Sequence, residues 1–282
     1  PRQVISEAQV STPRVVIAPT RDELAALVAD KFMVRASKAL ARTGALRVVL
    51  TGGGLGTEVL RAIAAHPKRD ELDWTKVTFF WGDERFVPRG DDDRNDRAAR
   101  EALLDIVNVP EDHIVSFPAS DDVDSLTEAA TIARDALRRY GTDDEWPTFD
   151  IAFAGMGPDG HVLSVFPGSD ASRVNSPDVL AVSDSPKPPP ERLTMSLALL
   201  NRSARVWIVT AGADKAAGLG LALAGASVVE VPASGLSGGH STKIFTDAEL
   251  AGLLPEELLR REQFWSADDE RADYIPQALR GD

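Results

Sequence analysis

Cysteine is absent from the 282 residues of this sequence. Its absence excludes disulfide bonds, thiolate metal ligands and a cysteine nucleophile, and it is compatible with a reducing cytosol, so we expect a cytoplasmic protein. Long apolar runs are also missing, because stretches such as residues 206–209 are only as long as a strand. A membrane-spanning helix needs roughly 20 apolar residues, and we therefore predict no contact with a membrane.

Positive charge is in short supply, since 31 lysines and arginines face 44 acidic residues and the formal net charge is −13. This balance argues against nucleic acid as the main partner, and any phosphate-bearing substrate must be held by cations gathered locally against the overall field. Only four histidines are present, and none has the spacing of a zinc site. The charge run at residues 91–94 fits no calcium loop and is typical of a solvated loop. We predict no metal.

Short apolar segments alternate along the chain with segments of helical periodicity. Two of the predicted helices begin with a capping box, Thr20 with Glu23 and Ser125 with Glu128. Gly44 is placed to end the first of these helices. Strands are predicted at residues 15–18, 48–51, 77–81, 149–154 and 205–210, and further helices after residue 56 and at residues 98–107 and 214–224.

Continuous apolar strands that alternate with helices predict an α/β fold, with a mostly parallel sheet, helices on both faces and small β additions. We expect a single domain at residues 14–255, an N-terminal extension at residues 1–13, and an acidic helix or tail at residues 256–282. Ligands of such sheets bind beyond the carboxyl ends of the strands. The segments that follow the predicted strands are therefore where we expect the functional site.

A glycine cluster at residues 51–56 follows one predicted strand and precedes a helix. Glycines let the backbone approach a phosphate, and a helix N-terminus offers free N–H groups. Thr57 stands where a dinucleotide fingerprint has its third glycine, and no Lys-Ser/Thr pair follows as in a Walker loop. Gly52, Gly53 and Gly54 are therefore candidates for phosphate binding, and a tight turn without any ligand is an equally good interpretation.

His161 ends a second glycine-rich segment, residues 155–161, after another predicted strand. An imidazole with an ordinary pKa near 6.5 is suited to take a proton from water at neutral pH and to return it later. Gly157 and Gly160 would allow the backbone to approach a substrate, and Asp159 could orient the imidazole or hold the water. An inert histidine in a structural turn is the alternative.

Three cations also follow or begin predicted strands. Arg85 could hold a phosphate or carboxylate through its fork of N–H groups, and an ion pair with Asp83 or Glu84 is the alternative. Arg192 begins a predicted strand after a proline-rich loop. Lys215 lies in the predicted first turn of a helix, where the helix dipole disfavours a cation. That position indicates either a ligand-directed role or a salt bridge with a neighbouring carboxylate.

Taken together, these segments resemble the 6-phosphogluconolactonase family. The resemblance covers about residues 14 to 255, and its most specific part is the glycine-histidine segment within residues 149–168. Residues 82–88 with Arg94 and Asn95, residues 192–194 and residues 212–216 follow in the family's order. The phosphate loop departs from the family, which often has Ser or Thr where Gly54 and Leu55 stand here.

The resemblance implies a Rossmann-like fold, as in glucosamine-6-phosphate deaminase and ribose-5-phosphate isomerase, and no required cofactor. It implies hydrolysis of 6-phosphoglucono-δ-lactone to 6-phosphogluconate in the oxidative pentose phosphate pathway. By that resemblance His161 would be the general base. Asp159 would either orient the imidazole or hold the water, and we expect a monomer, with a weak homodimer as the alternative. Alternatives are an isomerase or deaminase of the same fold, or a non-catalytic sugar-phosphate sensor. The predicted substrate-binding set is Gly52, Gly53, Gly54, Arg85, Asn95, Gly157, Gly160, Arg192 and Lys215.

Overall fold

The computed structural model describes residues 13–142 and 145–259, which form ten strands and eight α-helices. The strands are β1 (Arg14–Ala18), β2 (Leu46–Leu50), β3 (Val77–Trp81), β4 (Asp83–Arg85), β5 (Ile114–Val115), β6 (Phe149–Gly155), β7 (Val179–Val182), β8 (Arg192–Met195), β9 (Ser203–Val209) and β10 (Ser241–Asp247). The helices are α1 (Arg21–Thr43), α2 (Gly54–Ala65), α3 (Asn95–Ala99), α4 (Leu126–Arg138), α5 (Leu197–Leu200), α6 (Ala216–Leu223), α7 (Ala248–Ala251) and α8 (Glu256–Leu259).

Seven of the strands form one sheet in the order β1-β10-β9-β6-β2-β3-β5, and every neighbouring pair in it is parallel. The other three form a small antiparallel sheet in the order β4-β8-β7. The fold predicted from the sequence is thereby confirmed, and the small sheet is the expected β addition. Residues 1–12 and 260–282, which hold most of the predicted extension and tail, lie outside the described residues.

Both faces of the large sheet are covered by helices and loops. Neighbouring side chains of a strand point to opposite faces, so the contacts of two adjacent residues show the packing on each face. On β3, Phe79 packs on Trp74, which stacks on Phe32 of α1 with ring centroids 6.4 Å apart. Phe80 faces the other way and meets Tyr140, just beyond α4, at 5.0 Å. This double coverage is why the central strands are almost continuously apolar.

Three predicted helix ends are confirmed: both ends of α1 and the start of α4. Each is determined by a residue at or next to the helix end. The Thr20 hydroxyl accepts the Glu23 N–H at 3.3 Å, and the Ser125 hydroxyl accepts that of Glu128 at 3.2 Å. Gly44 ends α1 with a φ of 73°, which glycine adopts without steric cost. Each N-cap is typically worth about 1 kcal/mol of stability.

The helix predicted at residues 98–107 is wrong in its bounds. The α-helix begins earlier, at Asn95, and continues as a π-helical turn at Arg100–Leu104. Its start is fixed by the buried Glu84 carboxylate, which accepts the N–H groups of Asn95 and Asp96 at 2.7 and 2.8 Å. A capping group eleven positions away in sequence leaves no local signal.

Strands β9, β6, β2 and β3 are neighbours in the sheet. The chain places β3 and β5 on one side of β2 and then crosses over to place β6, β9 and β10 on its other side, so the strand order reverses between β6 and β2. In parallel sheets such a switch point opens a crevice at the carboxyl edge. The segments singled out from the sequence follow these four strands, so the sheet order alone places them together. No helix within residues 13–142 or 145–259 combines the length and apolar character needed to cross a bilayer.

Candidate active site

A cavity of about 310 Å³ lies at the carboxyl ends of β9, β6, β2 and β3. It brings together most of the residues that the sequence selected. Those that line it are Gly52, Gly53, Gly54, Arg85, Asn95, Gly157, His161, Arg192 and Lys215. Asp159 does not line the cavity itself but is hydrogen-bonded to the His161 ring, which does. The glycine turn and the imidazole therefore face one pocket.

One end of the cavity is formed by the start of helix α2. Gly53 precedes the helix with a φ of 86°, in the left-handed region that favours glycine. The Thr57 N–H donates to the Gly53 carbonyl at 3.0 Å, so the preceding N–H groups of Gly54, Leu55 and Gly56 have no acceptor within the helix. With no acidic side chain in the first turn, this end favours an anion.

Arg21 lies beside this anion end, and the sequence did not point to it. Its Nε and Nη2 atoms donate to the Glu58 carboxylate at 2.7 and 3.0 Å. A Cβ placed on Gly54 would lie 3.3 Å from Arg21 Nη2. The guanidinium is therefore held against the glycine loop by a residue of α2, a contact between two helices that no local pattern announces.

Asn95 forms part of the cavity floor. A Cβ placed on Gly52 would lie 1.9 Å from Asn95 Oδ1, so only glycine permits this approach. The Asn95 amide donates through Nδ2 to the Asp83 carbonyl at 2.9 Å. The side chain thus joins the glycine loop to β4, and the glycine requirement at position 52 has a packing cause.

A buried ionic network holds Arg85 and Asn95 in place. The Glu84 carboxylate accepts the N–H of Arg85 at 2.9 Å, in addition to its contacts at the start of α3. Arg94, which is fully buried, donates to both oxygens of Asp96 at 2.9 Å. Burial raises the pKa of Glu84 to about 7, although the Arg94 charge opposes this effect. The prediction of a solvated loop at residues 91–94 is therefore wrong for Arg94.

The other end of the cavity is formed by the turn at residues 157–161. His161 Nδ1 lies 2.5 Å from Asp159 Oδ1, and an ionised carboxylate can only accept, so Nδ1 carries the proton and Nε2 keeps its lone pair. The ring stacks on Phe166 at a centroid distance of 4.6 Å. A Cβ placed on Gly157 would lie 2.0 Å from His161 Cε1, so the ring occupies space that only glycine leaves.

The electrostatics of this pair suit a general base. Burial lowers the pKa of His161, the Asp159 carboxylate partly opposes that effect, and the positive charge of Lys187 lowers the pKa further. Burial alone would raise the pKa of Asp159, but the hydrogen bond from His161 brings it below its ordinary value. At neutral pH the imidazole is thus neutral and the carboxylate ionised, as proton abstraction requires.

The N–H groups of this turn are largely occupied, which distinguishes it from the glycine loop. Gly157 donates to the His161 carbonyl at 2.9 Å and Gly160 to the Gly157 carbonyl at 3.0 Å. The His161 N–H donates to Asp159 Oδ1 at 3.2 Å, and Pro158 has no N–H. Gly160 is not among the cavity-lining residues and has a φ of 79°. Glycine adopts this positive φ without steric cost.

Arg85 lines the cavity without forming the ion pair that we considered as an alternative. Its Nη1 donates to the Asp93 carbonyl at 2.6 Å, and no salt bridge of its side chain occurs among the described residues. Its Nε is buried and has no hydrogen-bond partner among the residues that the structure describes. A buried donor of this kind favours an acceptor on a ligand.

Arg192 and Lys215 also line the cavity, but both already have partners. Arg192 donates from Nε to the Pro189 carbonyl and from Nη2 to the Lys187 and Pro188 carbonyls, at 3.0 to 3.1 Å. Lys215 pairs with the carboxylate of Asp214, which is the salt bridge considered as an alternative. Lys215 ends a short 3-10 turn and directly precedes α6. If Arg192 or Lys215 binds a ligand, its side chain must do so while keeping these protein contacts or after giving some of them up.

Two further residues reach the cavity that the sequence did not select. Asp83 is buried and accepts the Ser164 hydroxyl at 2.7 Å through Oδ2. Its position after β3 was visible in the sequence, but its orientation was not. Lys187 reaches the cavity from the proline-rich loop, whose local sequence pattern gives no indication of this role.

A second hollow, of about 450 Å³, lies between α1 and the segment after α2. Its histidine, His66, is bonded at both nitrogens, with Nε2 at 3.0 Å from Asp30 and Nδ1 accepting the Lys68 N–H at 3.1 Å. Both bonds hold the ring in place. Within the described part of the chain, no three His, Asp or Glu side chains are placed to hold a metal ion.

Comparison with known proteins assigns the chain to a family. The family model described as glucosamine-6-phosphate isomerases/6-phosphogluconolactonase matches residues 19–245. The chain belongs to this family. The resemblance based on the motifs is thereby confirmed, and the match includes strands β2 to β9, both glycine turns and the cavity between them.

Individual members of the family agree with this assignment. The chain is 39% identical over 244 residues to the 6-phosphogluconolactonase of Mycobacterium tuberculosis, covering 86% of this chain and 98% of that protein. It is 36% identical over 254 residues to that of Streptomyces coelicolor, covering 88% and 97%. The crystal structure of the Thermotoga maritima 6-phosphogluconolactonase superposes with a TM-score of 0.71 at 28% identity, covering 83% of this chain and 100% of the other.

Proposed function

We propose that this protein hydrolyses 6-phosphoglucono-δ-lactone to 6-phosphogluconate, the second step of the oxidative pentose phosphate pathway. The observation that carries the proposal is the placement of the His161–Asp159 pair and the open N-terminus of α2 on one cavity. The two bacterial relatives named 6-phosphogluconolactonase align with this chain over 98% and 97% of their own length, which supports the same activity here.

In the proposed reaction, His161 Nε2 takes a proton from a water molecule as the water oxygen bonds to the lactone carbonyl carbon. The π electrons of the carbonyl move onto its oxygen, which becomes the oxyanion of a tetrahedral intermediate. When this intermediate collapses, the bond between the carbonyl carbon and the ring oxygen breaks. The imidazolium returns its proton to the ring oxygen, so the product has a new carboxyl group and a free hydroxyl group. Asp159 holds the tautomer and stabilises the imidazolium.

The phosphate group would occupy the anion end. The free N–H groups of Gly54, Leu55 and Gly56 supply donors there, and the helix dipole supplies favourable potential. Arg21 and Arg85 lie on the same cavity. Binding the phosphate at a fixed distance from His161 would place the lactone carbonyl at the imidazole. We further propose that the enzyme acts in the cytoplasm as a monomer on small molecules, with nucleic acid disfavoured by the net charge of −13.

The decisive experiment measures hydrolysis of freshly generated lactone with the spontaneous rate subtracted, because this substrate opens unaided. The proposal requires enzyme-dependent opening and no comparable turnover of glucosamine 6-phosphate. Turnover of the amino sugar in place of the lactone would assign a deaminase. Binding of both compounds without turnover of either would indicate a sugar-phosphate sensor.

A further inference from the structure

Five cationic side chains line the cavity, and four of them already have partners. Arg21 pairs with a glutamate of α2, Lys215 pairs with the preceding aspartate, and Arg85 and Arg192 donate to backbone carbonyls. The fifth is Lys187. Within the described residues, its ammonium group forms no hydrogen bond and no ion pair. A cation without a protein partner in a cavity is available to a ligand.

The loop that carries Lys187 is fixed through its backbone. The Ser185 hydroxyl donates to the Lys187 carbonyl at 2.9 Å and accepts the Lys187 N–H at 3.3 Å. Arg192 Nη2 donates to the same carbonyl at 3.0 Å, and the Ser185 N–H closes the loop onto the Pro190 carbonyl at 3.0 Å. The structure thus anchors the main chain of Lys187 firmly and leaves its side chain uncommitted.

The charge of Lys187 is felt at the catalytic end of the cavity. It lowers the pKa of both His161 and Asp159, and it also contributes to the lowered pKa of Asp214, next to Lys215. The anion end has its own donors in the N-terminus of α2 and in Arg21. The Arg192 guanidinium that donates to the Lys187 carbonyl lies over the Phe166 ring, and that ring stacks on His161. The Lys187 main chain is therefore anchored on the imidazole side of the cavity, where the lactone carbonyl must lie for His161 to activate the attacking water.

The proposed hydrolysis creates negative charge on the carbonyl oxygen at that end. The turn beside His161 cannot serve as a full oxyanion hole, because the N–H groups of Gly157, Gly160 and His161 are used within the turn and Pro158 has none. Among the N–H groups at residues 157–161, only that of Asp159 forms no hydrogen bond within the turn. Preorganised positive charge aimed at a developing oxyanion is commonly the largest single contribution to catalysis.

We propose that Lys187 is a further catalytic residue, whose ammonium group donates a hydrogen bond to the lactone carbonyl oxygen and stabilises the oxyanion that forms there. The ammonium keeps its protons throughout; the electron pair that moves onto the oxygen returns when the ring bond breaks. This inference rests on the proposed lactone hydrolysis and deepens it, because it assigns the oxyanion to a side chain of the proline-rich loop.

The test compares Lys187→Met, Lys187→Gln and Lys187→Arg with the wild-type enzyme in the lactone assay. Removing one oxyanion donor typically costs about 10²–10³-fold in kcat, and we expect losses in this range for the Met and Gln variants. Their KM and their inhibition by inorganic phosphate should stay within about twofold of wild type, because Lys187 is assigned to the carbonyl oxygen and not to the phosphate, so that its loss is expressed mainly in the transition state. The Arg variant keeps the charge and should retain more activity than either.

A pH profile separates this role from a structural one. His161 is faced by Asp159 from its own turn, by Lys187 from the proline-rich loop and by Asp83 from β4, and it stacks on Phe166. Lys187 lowers the pKa of His161, so its removal should move the acid limb of kcat/KM to higher pH. The Arg variant should leave the limb in place. Lys38→Met, on an exposed face of α1, is the matched control for a lysine-to-methionine change.

The outcomes are distinct. A kcat within about twofold of wild type in folded Met and Gln variants would overturn the inference. So would a raised KM with weakened phosphate inhibition and unchanged kcat, because that result makes Lys187 a phosphate ligand. If the wild-type enzyme itself fails to open the lactone faster than the spontaneous rate, the proposed function fails instead.

Discussion

The two glycine-rich turns that meet at the cavity look alike in sequence and do opposite things with their backbones. The turn at residues 51–56 presents N–H groups without acceptors, because it leads into a regular helix. The turn at residues 157–161 uses the N–H groups of Gly157, Gly160 and His161 in its own hydrogen bonds and presents a side chain. The two segments are joined where the Gly155 N–H donates to Thr51 Oγ1 at 3.1 Å.

This difference shows that glycines serve at least two purposes in one site. At positions 53 and 160 they allow positive φ, at 86° and 79°. At positions 52 and 157 they remove a Cβ that would collide with a functional side chain, Asn95 or His161. The anion end therefore depends on backbone donors, whereas the histidine end depends on one precisely seated ring. Changes at the two ends should affect different kinetic constants.

The largest effect is expected from His161→Ala. A positioned general base is worth about 10²–10⁴-fold, so kcat should fall by that factor while KM stays nearly constant, because the phosphate contacts are intact. Steady-state kinetics on fresh lactone measure both constants. Wild-type turnover in this variant would remove His161 from the mechanism and with it the contrast between the two ends.

A smaller loss is expected from Gly157→Ala, which tests the seating of the ring. The new Cβ would lie 2.0 Å from His161 Cε1, so the imidazole must move, and a displacement of about 1 Å can cost roughly 10²-fold in rate. Gly53→Ala is the matched control at the other end, because no atom lies within 4 Å of its added Cβ. That control should strain the loop and raise KM. Equal kcat losses in both variants would contradict the comparison.

Arg85→Ala and Lys215→Ala, each of which removes a cation that lines the cavity, should mainly raise KM. A hydrogen bond to a charged group contributes about 1.5–3 kcal/mol, which corresponds to a rise of roughly tenfold to a hundredfold. We expect the Lys215 effect at the low end, because that ammonium already pairs with Asp214. An unchanged KM in both variants would place the phosphate elsewhere in the cavity.

The smallest expected effect is in the pH profile of kcat/KM. His161 must be neutral to act, so activity falls as the pH drops through its pKa, which burial holds below the ordinary value of about 6.5. In Asp159→Asn the opposing carboxylate charge is lost, and the acid limb should move to still lower pH while kcat falls. A wild-type limb centred above the ordinary histidine pKa would show that the ring is not buried as described.

The functional residues differ in how far they could be predicted. His161 and the glycines that surround it stand in one continuous segment, so their chemistry could be read directly. Arg192 was correctly placed at the start of a strand, but its donors are directed at the carbonyls of its own loop. Lys187 and Arg21 had no local signal, because what brings them to the cavity is a loop closure and a contact between two helices. Arg94 was misjudged because its charge is buried by groups distant in sequence.

By itself the sequence determined the α/β class, the helix caps and the association of glycines with strand ends, since these depend on periodicity and on neighbours within a few residues. Tertiary structure alone decided which N–H groups remain free, which cations are already paired, and that Lys187 lines the same cavity as His161. These properties depend on sheet order and on contacts across tens of residues. The physical reason is that hydrogen-bond capacity and charge compensation belong to a packed neighbourhood, and a linear pattern does not contain that neighbourhood.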